Sequence, residues 1–444
     1  MPETMSLPNP NRSRHISVLA LAACILAALA CYGCHASQKR PPAEAGKPLS
    51  LAAETLDPPP PLPADDRKML QTGLKQIAEM RELARYRGPA PMHLEIAKQA
   101  ADVPDILAAF FELRAATAKN AEMPVAVFDA KGSFAAQAGL YPEAQSIYQE
   151  IITRAPNEAA GYVGLSRVQF VLGQRTESLQ TLERGAAAVP TEKVADRLSL
   201  AQEFEARAEM PRALEIAQEA MRQAPDQPDA TLTVARLLGK LGRLPEARSL
   251  LEKLVDAQPD NAAALHGLAD LLNNPLLPQR DPARAEQLLL RTVQRDPKDA
   301  SAYANLGRLY EAQKRYKEAA IAYTRLLAIT PDDASARLQL SYDYASLGEK
   351  RISAEQQKIA QRLLARDAEE TRLINRREQH PTDPEARLAL ARHYAAYGQF
   401  GKALTEMQAA YCVSRGSERL RQELFAFYRR LGAPPPPLPK GTKP

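Results

Sequence analysis

The chain has 444 residues, 58 basic and 53 acidic side chains, no tryptophan and 5 % aromatic residues. That length suits two or three ordinary domains or one extended repeat array, and a net charge of only +5 without dense Lys/Arg runs interleaved with aromatics argues against nucleic-acid binding. Alanine, leucine, glutamate, glutamine, arginine and lysine dominate, which predicts an all-α fold, and the four cysteines (Cys24, Cys31, Cys34 and Cys412) are too unevenly placed to make a disulfide framework.

Residues 1–34 read as an export signal or membrane anchor. Arg12, Arg14 and His15 precede Ile16–Gly33, which carries no charged side chain. As a helix rising about 1.5 Å per residue this segment reaches roughly 27 Å, near the lower limit for crossing a bilayer. A basic start, an apolar core and a small-residue exit are what secretion needs, because the positive end stays in the cytoplasm. The segment ends in CYGCH, Cys31 to His35, which admits two readings. A cysteine after small residues is a cleavage and lipidation point, with Cys31 the first candidate and Cys34 the second. Alternatively, C-x-x-C-H is the attachment sequence of a c-type haem, with Cys31 and Cys34 forming thioethers and His35 ligating iron. The polar, proline-rich stretch after His35 cannot pack around a porphyrin, although Met69, Met80 or His93 further on are of a type that can supply a second ligand.

Residues 35–65 form a proline-rich linker. Its PPPPLP, Pro58 to Pro63, favours the extended polyproline II conformation and spaces the next domain from the membrane. The same hexapeptide recurs at Pro434–Pro439, in a proline-rich tail spanning 433–444. Residues 66–124 predict less regular helices that cap one end of a central region, and residues 417–432 predict a capping helix at its other end.

Between these caps, over residues 125–416, a period appears. Prolines at 156, 190, 225, 259, 297 and 331 come after predicted helix ends, with spacings of 34, 35, 34, 38 and 34. Twelve residues before each stands a small residue: Ala144, Ser178, Ala213, Ala247, Ala285 and Ala319. Glycine often precedes that by five, as at Gly139, Gly173 and Gly242. A pair of antiparallel helices explains the spacing. The small side chain permits close approach, glycine turns the backbone out of the first helix, and proline ends the pair. Each pair leaves an apolar face that stacking buries.

The clearest copy is AYANLGRLYEAQKRYKEAAIAYTRLLAITPDDA, with Tyr303, Leu306, Gly307, Tyr310, Ala319, Tyr323, Leu326 and Pro331. On these residues, and on Phe128, Gly132, Tyr148, Tyr162, Leu165 and Leu182 in earlier copies, the sequence resembles the tetratricopeptide repeat family. About eight copies are expected. NNPLLPQRD, Asn273 to Asp281, lengthens one turn into a protruding loop, and a longer helix runs to about Gln379 before the pattern resumes after Pro381.

The resemblance implies a right-handed superhelical solenoid whose first helices line a concave groove. The groove-facing position, eleven residues after the preceding proline, holds Arg167, Arg236, Asp270, Arg308, Tyr342 and Arg392. A guanidinium grips a carboxylate through two parallel hydrogen bonds, so acidic or C-terminal segments of partner proteins are the expected ligands. The competing reading is that these arginines pair with acidic neighbours such as Glu205, Asp229 or Glu311. No metal-ligating H-E-x-x-H, phosphate-binding glycine loop or nucleophile elbow is present. The expectation is a non-enzymatic, membrane-tethered scaffold on the export (periplasmic) side of a bacterial envelope, without cofactor. The alternative is a haem-bearing electron carrier docked through its repeats.

Overall fold

Proline and aspartate together punctuate the chain. A proline ends a helix, and two residues later Asn261, Asp299 or Asp333 accepts a hydrogen bond from the backbone N–H of Ala264, Ala302 or Ala336, at 3.1, 2.9 and 2.8 Å. Each thereby satisfies one of the donors left unpaired at a helix start. The computed structural model describes residues 66–84, 89–277 and 279–435. Among these, twenty helices and no strand occur. The all-α expectation holds.

Three helices open the described chain: α1 (Arg67–Ala84), α2 (Ala90–Asp102) and α3 (Ile106–Lys119). Eight antiparallel pairs come next. They are α4 (Val125–Gln137) with α5 (Tyr141–Arg154), α6 (Ala159–Val171) with α7 (Arg175–Ala188), and α8 (Val194–Ala206) with α9 (Met210–Gln223). Then come α10 (Pro228–Lys240) with α11 (Leu244–Ala257), α12 (Ala262–Asn273) with α13 (Pro282–Arg295), and α14 (Ala300–Ala312) with α15 (Tyr316–Ile329). The last two are α16 (Ala334–Ser346) with α17 (Lys350–Gln379), and α18 (Pro384–Ala396) with α19 (Phe400–Val413); α20 (Glu418–Arg430) closes the described chain. The 30-residue α17 is the long helix expected to end at Gln379.

Close approach within the pairs has the anticipated cause. Ala144, Ala213, Ala247, Ala285 and Ala319 are fully buried. A Cβ built on Gly307 would lie 2.6 Å from the Tyr323 ring, so only glycine lets α14 and α15 meet there. In the second pair both small positions are serine, and the Ser166 and Ser178 hydroxyls bond to each other at 2.8 Å, which satisfies both in a dry setting. The turns between paired helices use the left-handed region at Gly139, Gly173 and Gly242, with φ of 75°, 77° and 75°. Ala208 and Lys314 take the same conformation at φ 64° and 60°, at a steric cost that glycine avoids.

The helices form two compact units. The first unit comprises, of the described residues, 66–188 and 373–435. It joins the two ends of the described chain. The Asp66 carboxylate accepts from the N–H groups of Phe400 and Gly401, at 2.7 and 2.9 Å, and so caps α19. Buried Asp105 caps α3 through Ala108 N–H at 3.0 Å and also accepts from Gln408 Nε2 at 2.7 Å and Tyr428 Oη at 3.1 Å. The helices expected to cap opposite ends of an array therefore touch one another, because a buried polar cluster spanning about three hundred residues of sequence ties them together.

The second unit comprises residues 189–372 and is built from neighbours in sequence. The loop between α12 and α13 leaves Leu276 78 % exposed while Leu277 turns inward. Its far end is fixed by Asp281, whose side chain accepts from Arg284 N–H at 2.9 Å. Arg337, 1 % exposed, spends its guanidinium on the Pro331 carbonyl, at 2.9 and 2.6 Å, and on Gln356 at 2.9 Å.

Candidate functional site

All six residues at the groove position are exposed, each on the first helix of its pair. The spacing explains this. The residue six after the proline turns inward onto the helix end, as Tyr162 does to the Pro156 carbonyl at 3.0 Å, and a residue five further on lies on the opposite side of the helix. Arg236, Asp270, Arg308 and Tyr342 stand on α10, α12, α14 and α16 of the second unit, and Arg167 and Arg392 on α6 and α18 of the first.

In the second unit these side chains sit in a polar network. Arg236 donates to Glu205 Oε1, which also accepts from Lys240 Nζ at 2.7 Å. Burial raises the Glu205 pKa, but the hydrogen bonds from Arg236 and Lys240 outweigh it and hold the carboxyl below its ordinary value. Arg308 donates to Asn305 Oδ1, while Asn305 Nδ2 reaches Asp270 Oδ1 at 3.4 Å and lies 2.8 Å from His266 Nε2. Arg392 of the first unit donates to Glu423 Oε2 at 3.3 Å. A pair as exposed as Arg392–Glu423 contributes about 0–1 kcal/mol, whereas Glu205, with its side chain 11 % exposed and shared by two cations, is held more firmly.

Sequence patterning missed an acidic pair beside Arg308 and Tyr342. The Tyr323 hydroxyl donates to Glu311 Oε2 at 3.0 Å, and burial raises the Glu311 carboxyl. Asp343, 1 % exposed, has Oδ2 without a hydrogen-bond partner. Burial, and secondarily the Glu311 charge, push its pKa up to about 8. A lone Asp next to Tyr in a helix carries no sequence signal for this, because the shift depends on what α15 packs over it.

Cys31, Cys34 and His35, like Ile16–Gly33 and the linker, lie outside the described residues. Met69 is 76 % exposed, and His93 Nδ1 is bonded to Glu112 at 2.7 Å, with Glu112 also accepting from Arg81 at 2.9 Å. Cys412 is partly buried, and desolvation pushes its thiol up to about 12, so it stays protonated and packs as a small apolar group. Among the described residues no cluster of three metal-ligating side chains occurs, and no helix is long and apolar enough to cross a membrane.

Residues 206–272 and 276–334 each match a family model described as tetratricopeptide repeat. These two spans therefore carry tetratricopeptide repeats, and they run through Arg236, Asp270 and Arg308. Among solved structures, a tetratricopeptide repeat protein from Parabacteroides merdae is similar at 17 % identity, over 57 % of this chain and 98 % of that one, with a TM-score of 0.42. MamA from Desulfovibrio magneticus is similar at 20 % identity, over 39 % of this chain and 96 % of its own, with a TM-score of 0.34. A human IFIT1 dimer with PPP-AAAA is similar at 13 % identity, over 80 % of this chain and 96 % of that one, with a TM-score of 0.38. No curated protein sequence matches the chain.

Proposed function

We propose that this chain is a non-enzymatic, membrane-tethered scaffold of the bacterial envelope that holds acidic or C-terminal segments of partner proteins against the first helices of its repeats. The observation that carries the reading is the recurrence of exposed Arg236, Asp270, Arg308 and Tyr342 at one position of successive first helices. Arginine at such a site grips a carboxylate with geometric specificity. Each guanidinium is exposed and carries five donors, so a carboxylate from a partner can bind beside Glu205 or Asn305 without displacing it. Tethering and location on the export side rest on the basic flank and apolar Ile16–Gly33 segment, with Cys31 or Cys34 as the lipidation point.

Two measurements test this. Purified full-length protein should retain proteins from a solubilised envelope extract, and Arg236→Glu combined with Arg308→Glu should lower that retention about tenfold or more. Unchanged retention removes the arginine face from the account. Mass spectrometry of the mature N-terminus should find added acyl mass on Cys31 or Cys34. Covalent porphyrin on both cysteines would instead establish the haem reading.

A further inference from the structure

The first unit contains a cavity that a regular stack of helix pairs does not make. Its volume is about 980 Å³. One wall comes from α4, α6 and the start of α7, the other from the last turn of α17, the start of α18, and Thr405 and Glu406 of α19. Arg387 Nη2 donates to the Tyr141 hydroxyl at 2.6 Å and so pins together segments 246 residues apart.

Its lining is cationic. Arg167, Arg175, Arg377 and Arg387 face it, against the carboxylates of Glu378 and Glu406. Glu406 serves two guanidiniums at once, accepting from Arg377 at 2.8 Å and from Arg387 at 3.1 Å. Glu378 stands 3.6 Å from Arg377, too far for a hydrogen bond. Arg175 is exposed at the first position of α7, where the helix dipole adds partial positive charge. Beside these cations Phe170 and Val171 remain 39 % and 41 % exposed on the cavity wall. A charged ligand alone leaves that apolar surface wet, whereas a peptide with an apolar side chain between carboxylates covers both kinds of surface.

We infer that this cavity binds an extended acidic peptide segment of a partner protein, with carboxylates on Arg167, Arg175 and Arg377 and an apolar side chain on Phe170 and Val171. The inference rests on the reading that the chain captures protein segments, and it moves one point of capture from the second unit to a site that exists only because residues 133–175 and 375–406 meet. The volume is at the upper end of the range of about 300–1,000 Å³ that buries a drug-sized ligand, so it takes side chains of a bound segment rather than a folded element.

The test uses full-length protein and a dye-labelled acidic peptide, EDFEELDD, read by fluorescence anisotropy beside its amide counterpart QNFQQLNN. The acidic peptide should bind about tenfold or more tightly than the amide one, and more weakly at high salt. Arg175→Glu should weaken it about tenfold while leaving the melting temperature unchanged, and Arg175→Lys should restore most of the affinity. Equal binding of the two peptides, no binding at all, or displacement by equimolar inorganic phosphate overturns the inference. If Arg236→Glu with Arg308→Glu abolishes binding and Arg175→Glu does not, the cavity is wrong and the arginine face of the second unit stands. If acidic peptide binding is lost in Arg175→Glu while envelope capture survives both sets of variants, the cavity stands and the face fails.

Discussion

The two units obey the same repeat chemistry but are closed differently. In the second unit, polar contacts join neighbouring pairs, such as Arg236 to Glu205 and Arg315 to Glu286, separated by 31 and 29 residues. In the first unit, Asp105, Gln408 and Tyr428 make a buried cluster across separations of 303 and 323 residues. A stack of near neighbours is stabilised copy by copy, and damage in one copy is felt by the next. A unit sewn together from both chain ends is lost as a whole when the seam is cut.

The largest effect should come from that seam. Replacing Gln408→Ala takes the side-chain acceptor from the buried Leu107 N–H, removes one hydrogen bond each from the Asp105 carboxyl and the Tyr428 hydroxyl, and leaves a void, so the first unit should lose about 3 kcal/mol in chemical denaturation. A loss under about 1 kcal/mol would mean the cluster is not closing the unit. In the second unit, Gly307→Ala drives a methyl into the Tyr323 ring and should cost about 2 kcal/mol, confined to α14 and its neighbours.

Asp343→Asn separates the units by pH. Folding raises the Asp343 pKa from 3.8 to about 8, so the aspartate binds its proton more tightly when folded. Its contribution to stability is full below about pH 4 and is lost as the pH rises through about 8. Asparagine, which does not ionise, should therefore stabilise the second unit by on the order of 2 kcal/mol at pH 8.5, with the gain vanishing toward pH 4. A gain independent of pH would show that the carboxyl is not protonated in the folded state. The smallest effect is expected from Ala208→Gly, which relieves a left-handed backbone and should raise stability by about 0.5–1 kcal/mol.

The repeat part of the fold was legible because its causes are local. Proline, the small residue twelve before it and the intervening glycine each act within one helix pair, so their spacing locates the turns, the close approaches at Ala319 and Gly307, and the exposed face with Arg236 and Arg308. The loop at Asn273–Asp281 was legible for the same reason, as four extra residues in one period. The seam was not. Gln408 reads as an ordinary polar residue of a helix, and Asp105 as a helix cap; only their meeting gives them a joint role. The cavity and the raised Asp343 carboxyl escaped for the same reason, since each arises from side chains brought together across helices rather than from any pattern along one.

The claim that sequence-distant ends form one cooperative unit is most directly tested by native-state hydrogen exchange on the unaltered protein in mild denaturant. The backbone amides of α3 (Ile106–Lys119) and α19 (Phe400–Val413) should open together, with one free energy and one denaturant dependence, distinct from those of α14 and α15. If α3 exchanges through an opening that leaves α19 protected, the ends are separate elements and the claim is contradicted.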